Sequence, residues 1–148
     1  VAFTSTAAGN FGGHLAAARV NWLTGPIKIM LCASTFVPNK DTTIYKSDVT
    51  GELPTGAGYT LRGLTLGSKT AAYDAATDTT PLDAADVVWT TGAGQTLTYR
   101  VYVIYSDTGT DATSPVIAWG VESADQTASN GGTATIVFDA TGIVRLAT

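Results

Sequence analysis

The chain has 148 residues, 45% hydrophobic and only 14% charged, with a formal net charge of −4 and a pI near 4.6. That balance is too apolar for disorder, and the length suits one domain, 1–148, with a real core. An acidic chain without a Lys/Arg cluster is not expected to bind nucleic acid directly, and no apolar run approaches the roughly 20 residues of a membrane span. The first residues lack the basic and apolar regions of a signal peptide, so none is expected. The single cysteine, Cys32, has no intrachain disulfide partner and reads as a buried small hydrophobe.

Residues 1–13 are small and glycine-punctuated, with Phe3 and Phe11 as isolated aromatics. They read as an extended arm, whose phenylalanines would anchor it to a neighbouring subunit. Residues 14–24 hold the only helical candidate. Leu15, Ala18, Trp22 and Leu23 form a stripe at helical spacing, and Gly25-Pro26 stops it. His14, at the helix start, is expected in solvent. Residues 27–33 form the first strand, apolar on both faces beyond Lys28 and therefore central. A glycine-bearing loop over residues 50–64 has the look of a binding or assembly segment.

Residues 65–73 and 82–90 are expected to form a hairpin. In its second strand Leu82 and Ala84 share one parity while Val87 and Trp89 share the other. A β-bulge near Ala85-Asp86 would restore all four to one face. Residues 99–107 form the strand around which the rest is organised, rich in aromatic and β-branched residues and free of Gly and Pro. A polar loop over 106–115 precedes a strand over 116–121. A second polar loop, 123–132, ends in the turn signal Asn130-Gly131. Ala134, Ile136 and Phe138 then alternate, and Val144 and Leu146 face inward from the last strand. The expected fold is all-β: an antiparallel sandwich, jelly-roll or immunoglobulin-like, with one short N-terminal helix.

No catalytic set assembles, so the chain is not expected to be an enzyme. Glu52 and Glu122 are the only glutamates, and the aspartates sit where turns favour them. Residues 106–111 faintly resemble a calcium loop but lack its acid ladder and closing glutamate, and His14 has no second ligand at i+4. No metal or cofactor is expected. Trp89, Trp119, Tyr99 and Tyr105 read as core fillers ahead of sugar-stacking platforms.

The run Ile-Lys-Ile-Met-Leu-Cys-Ala from Ile27, Lys46-Ser-Asp-Val-Thr, and Gly58-Tyr-Thr with Gly63 together resemble a family of small tailed-bacteriophage virion proteins. The pattern continues through Leu82 to Trp89, Tyr105-x-Asp-Thr-Gly109, Ala124 to Gly131 and Asp139-Ala-x-Gly-Ile143. The resemblance implies a structural virion component, and most concretely a head decoration (cement) protein. That implies assembly in the host cytoplasm, a place on the capsid exterior, and the major capsid protein as partner. Self-association as a dimer or trimer would suit a symmetric shell. Phe3, Phe11, Trp22, Leu53, Pro54 and Tyr59 are the candidate partner contacts. The alternatives are a tail, neck or fibre-associated protein, and a carbohydrate-binding module.

Overall fold

A computed structural model describes residues 5–147. The fold is mainly β, with antiparallel sheets and one short helix. Its centre is a five-stranded sheet in the order β1 (Thr6–Ala7), β8 (Val116–Ser129), β7 (Thr96–Ser106), β2 (Ile27–Cys32) and β3 (Leu64–Thr65). β7 is the organising strand. It pairs with β2 from Ile27↔Ser106 to Cys32↔Val101 and with β8 on its other side. Residues 101–106 of β7 are buried on both faces, which explains why that stretch carries aromatic and β-branched side chains without a polar alternation. Gly120 lies opposite Tyr102, and a β-carbon there would land on the tyrosine ring.

The remaining strands form two smaller sheets. β6 (Val87–Thr90) pairs with β9 (Thr133–Ile136), while β5 (Thr79–Asp83) lies between β10 (Val144–Ala147) and β4 (Thr70–Ala71). β5 and β6 are one kinked ribbon. Leu82, Ala84, Val87 and Trp89 are all buried, as the expected irregularity at Ala85-Asp86 requires. The Asp86 carboxylate accepts the Phe138 N–H at 2.9 Å and so caps the break. The expected hairpin is present but short, Thr70↔Asp83 and Ala71↔Leu82, because Thr65 pairs with β2 and Val87–Thr90 pair with β9 instead. Tyr59 meets Trp89 at 6.3 Å between ring centroids and Tyr102 meets Phe138 edge-on at 6.3 Å, so one apolar cluster is shared by all three sheets.

Five expectations need correction. The helix is α1 (Phe11–Ala16), not residues 14–24. It ends because Ala18 adopts a left-handed φ of +54°, and Arg19 and Ala18 N–H groups return to the His14 and Leu15 carbonyls. This is the closure usually made with glycine, and an alanine conceals it from sequence reading. Trp22 therefore lies on no helix. It is buried in the following turn, its indole N–H donating to the Thr70 carbonyl at 2.9 Å. The extended arm 1–13 is likewise interrupted: Thr6 and Ala7 pair with β8 and Phe11 opens the helix, while Phe3 lies outside the described residues.

His14 is 1% exposed rather than solvated, its ring edge-on to Tyr45. The polar stretch 123–129 is strand, not loop. Its residues 126–129 pair with 96–99, where only Leu97, Tyr99 and Ala128 are buried. Backbone pairing with so little burial leaves no apolar alternation to read. The turn that follows does match its sequence, with Asn130 and Gly131 both at positive φ, 52° and 82°.

Candidate functional site

Three cations and three carboxylates gather beside β2. Lys46 Nζ lies 3.0 Å from Glu52 Oε2 and 3.0 Å from Asp111 Oδ2. Arg62 reaches both Asp111 and Asp107, and Lys28 Nζ closes on Asp107 at 3.0 Å. The loop that supplies Lys46, Glu52 and Arg62 is thereby tied to the turn after β7. Backbone geometry explains how it fits. Gly58 and Gly63 have φ of +82° and +71°, and a β-carbon at either would strike the Thr90 or Ile29 carbonyl. Arg62 itself is left-handed at φ +74°, a conformation that costs a non-glycine residue about 1–2 kcal/mol. It is over-determined: its N–H donates to Glu52 Oε1, its carbonyl accepts the Tyr105 hydroxyl at 2.8 Å, and its guanidinium holds two aspartates.

Charge and hydrogen bonding are satisfied throughout. Glu52 Oε1 also accepts the Tyr59 hydroxyl at 2.9 Å, and that hydroxyl accepts the Leu31 N–H at 3.2 Å. The Arg62 guanidinium holds the Asp107 carboxyl well below the usual range. Burial alone would raise Asp111, but Lys46 and Arg62 outweigh it and lower it. Burial likewise opposes the charge on Lys46, and Glu52 with Asp111 restores it and raises the amine. Burial pushes the phenols of Tyr59 and Tyr105 upward. Lys46, Arg62, Asp107 and Asp111 are each shifted toward the charged form, and the cluster is a clamp.

The residues singled out from sequence fall on both sides of the surface. Phe11, Trp22 and Tyr59 are 3%, 5% and 1% exposed, so their side chains face the chain's own core. Leu53 is half-buried and Pro54 exposed, bordering a hollow with Ala57 and Leu97. All three tryptophans are buried, and so are Tyr99 and Tyr105, as core fillers are. Cys32 is fully buried, and burial pushes its thiol up to about 12. Asp74 and Asp139 accept backbone and threonine donors within their own turns. Asp107 and Asp111 do not fit that turn pattern alone, since both carboxylates are turned to cations. Among the described residues no three His, Cys, Asp or Glu groups gather as metal ligands, and no helix is long and apolar enough to cross a membrane.

A second feature was not legible from sequence. Opposite Arg100 of β7, which pairs on through Tyr99↔Gln126 and Val101↔Val121, β8 carries residues 122–125 as an excess. Arg100 spans the irregularity to Asp125 at 3.1 Å. Glu122 is turned inward there, 9% exposed, with Oε1 buried and unpartnered among the described residues. Burial raises its carboxyl above the ordinary value. It borders a hollow of about 590 Å³ with Tyr99, Gln126, Thr135 and Val137. No family model, no curated protein and no solved structure matches this chain.

Proposed function

We propose that this chain is a structural protein of a tailed-bacteriophage virion, and specifically a head decoration protein that binds the outside of the major capsid shell and stabilises it. The observation that carries the reading is where the residues of the resemblance lie. Lys46 and Asp107 belong to the clamp, while Asp48 accepts the Ile44 and Tyr45 N–H groups. Gly58 and Gly63 permit close backbone crossings, and Tyr59 is buried against Trp89. The recognisable residues are those that hold a scaffold rigid, which suits a protein whose work is to bind and brace. Many copies, each bound across a seam, would add small stabilisations. In the same reading the five-stranded sheet and the two smaller sheets are the leaves of a β-sandwich, of jelly-roll or immunoglobulin-like kind. Tyr59 on Trp89 and Tyr102 on Phe138 support that arrangement.

Cosedimentation tests the proposal. The protein is expected to bind assembled shells of its phage and to leave free coat subunits largely unbound. Equal affinity for both, or only about a dozen copies per virion at a tail or neck, would overturn it.

A further inference from the structure

Three segments meet where β8 begins, around a hollow of about 350 Å³ lined by Arg19, Tyr45, Thr108, Ala112 and Thr113. That volume lies within the range of small-molecule sites, about 300–1,000 Å³. The segments are tied together by backbone bonds: Arg19 N–H returns to the His14 carbonyl, Tyr45 bridges to Pro115, and Lys46 N–H donates to the Ser114 carbonyl. The described chain before Ala8 runs the other way, with Thr6 opposite Trp119. Four extended residues before Ser5 would span about 14 Å, less than the roughly 17 Å back along β8 from Gly120 to Pro115.

The lining groups differ in kind. Arg19 is exposed, donates Nη1 to the Tyr45 hydroxyl at 2.8 Å, and makes no ion pair among the described residues. Among those residues its other N–H groups and the Tyr45 O–H have no acceptor. The carboxylates of the adjoining segments are engaged: Asp48 accepts the Ile44 and Tyr45 N–H groups, and Asp111 holds Lys46 and Arg62. On the 107–115 loop, Thr108 and Thr113 Oγ1 lie 2.7 Å apart, and each reaches the Thr110 carbonyl, at 3.1 and 3.2 Å. Their protons are engaged inside the loop, so lone pairs are what they offer a ligand. Arg19 and Tyr45 donate and carry the charge, while the two threonines accept.

We propose that this hollow binds a sugar acid, with its carboxylate on Arg19 and the Tyr45 hydroxyl and its ring hydroxyls donating to Thr108 and Thr113. The inference goes beyond the virion reading and does not depend on it. A guanidinium presents N–H groups in a planar fork that matches a carboxylate. The bond to Tyr45 holds that fork before a ligand arrives, which lowers the cost of ordering it. A plain carboxylate would use only the donors, and a neutral sugar only the acceptors; a polyhydroxylated carboxylate uses both. Ala112 adds an apolar contact for the C–H face of a sugar ring. Arg19 stays solvated, so a single sugar acid is expected to bind in the millimolar range.

The full chain, labelled with nitrogen-15, can be titrated at constant ionic strength with galacturonate, with acetate and with galactose. The expected result is saturable binding of galacturonate, with amide shifts centred on residues 19, 45 and 108–113 and at least about tenfold weaker binding of the other two. Arg19→Gln, at an exposed position, should weaken galacturonate binding about tenfold, the loss of one charge-assisted contact. Thr113→Val, which keeps the shape and removes the lone pairs, should weaken it independently. Trigalacturonate separates the two sources of this chemistry: tighter binding than the monomer supports a unit within an acidic polysaccharide, and weaker binding supports the free acid. The proposal fails if acetate or galactose matches galacturonate, if galacturonate does not saturate at millimolar concentration, if the shifts lie elsewhere, or if Arg19→Gln leaves the affinity unchanged.

Discussion

Replacing Lys46 by methionine keeps the aliphatic stem and removes one charge from the clamp. Its two contacts differ in worth because they differ in exposure. The Lys46 side chain is 8% exposed, that of Glu52 10% and that of Asp111 44%. Against half-solvated Asp111 the pair contributes about 0–1 kcal/mol. Against Glu52 the substitution strands a desolvated carboxylate, and breaking a buried pair from one side costs about 3–5 kcal/mol. Glu52 keeps the Tyr59 hydroxyl and the Arg62 N–H as donors, which places the total near the low end, about 3 kcal/mol. At about 2–4 °C per kcal/mol for a chain of this size, Tm should fall by about 6–12 °C.

Urea unfolding followed by the fluorescence of the buried tryptophans measures the loss directly. The companion is Lys46→Met with Glu52→Gln, which removes the stranded charge and leaves the remaining hydrogen bonds possible. It should recover most of the stability, to within about 1 kcal/mol of the parent protein. A Lys46→Met loss below about 1 kcal/mol, or a double variant no better than the single, would refute the reasoning: the clamp would then be a surface ion pair in energetic terms.

Gly120→Ala should destabilise by about 2–3 kcal/mol in the same assay, because the added methyl meets the fully buried Tyr102 ring. His14 is held below its ordinary value by burial and by Arg19, so the unfolded chain takes up the proton first. Stability should therefore be complete above about pH 6.5, decline as pH falls below it and level off beneath the folded value, and His14→Phe should flatten that slope in urea midpoints measured against pH. Glu122 has a raised folded value, so its charge disfavours the fold at neutral pH. Glu122→Gln should be at least as stable as the parent at pH 7, with the difference vanishing as pH drops through the Glu122 titration; a clear loss at pH 7 would mean the carboxylate has a stabilising partner.

The strands were legible where burial and alternation coincide. The trio Ala134, Ile136 and Phe138 is such a place, residues 101–106 were legible from an unbroken apolar run buried on both faces, and the parity change between Ala84 and Val87 located the kink because all four flanking side chains are buried. Legibility failed where backbone alone decides. Ala18 closes the helix in a conformation that its side chain does not advertise, and residues 126–129 continue a ladder with almost nothing to bury. Most of the clamp was hidden for another reason. Lys46, Glu52, Arg62, Asp107 and Asp111 are individually ordinary loop residues, and only the fold of the 50–64 loop onto β2 brings them within ion-pair distance. A long-range pairing of charges leaves no local period to detect.

The two glutamates of the chain make opposite cases from one chemistry. Glu52 is desolvated and surrounded: an ammonium at 3.0 Å, a phenol at 2.9 Å and a backbone N–H share its oxygens. Glu122 is equally withdrawn from water and has an oxygen that none of the described residues engages. A scaffold that supplies three donors to the first is able to satisfy a buried carboxylate, so the second is not explained by a shortage of means. An apolar or amide side chain at the same place would cost the fold less. The same withdrawal from water therefore has opposite outcomes: Glu52 is anchored by its donors, while burial raises the Glu122 carboxyl against the opposing pull of Arg100.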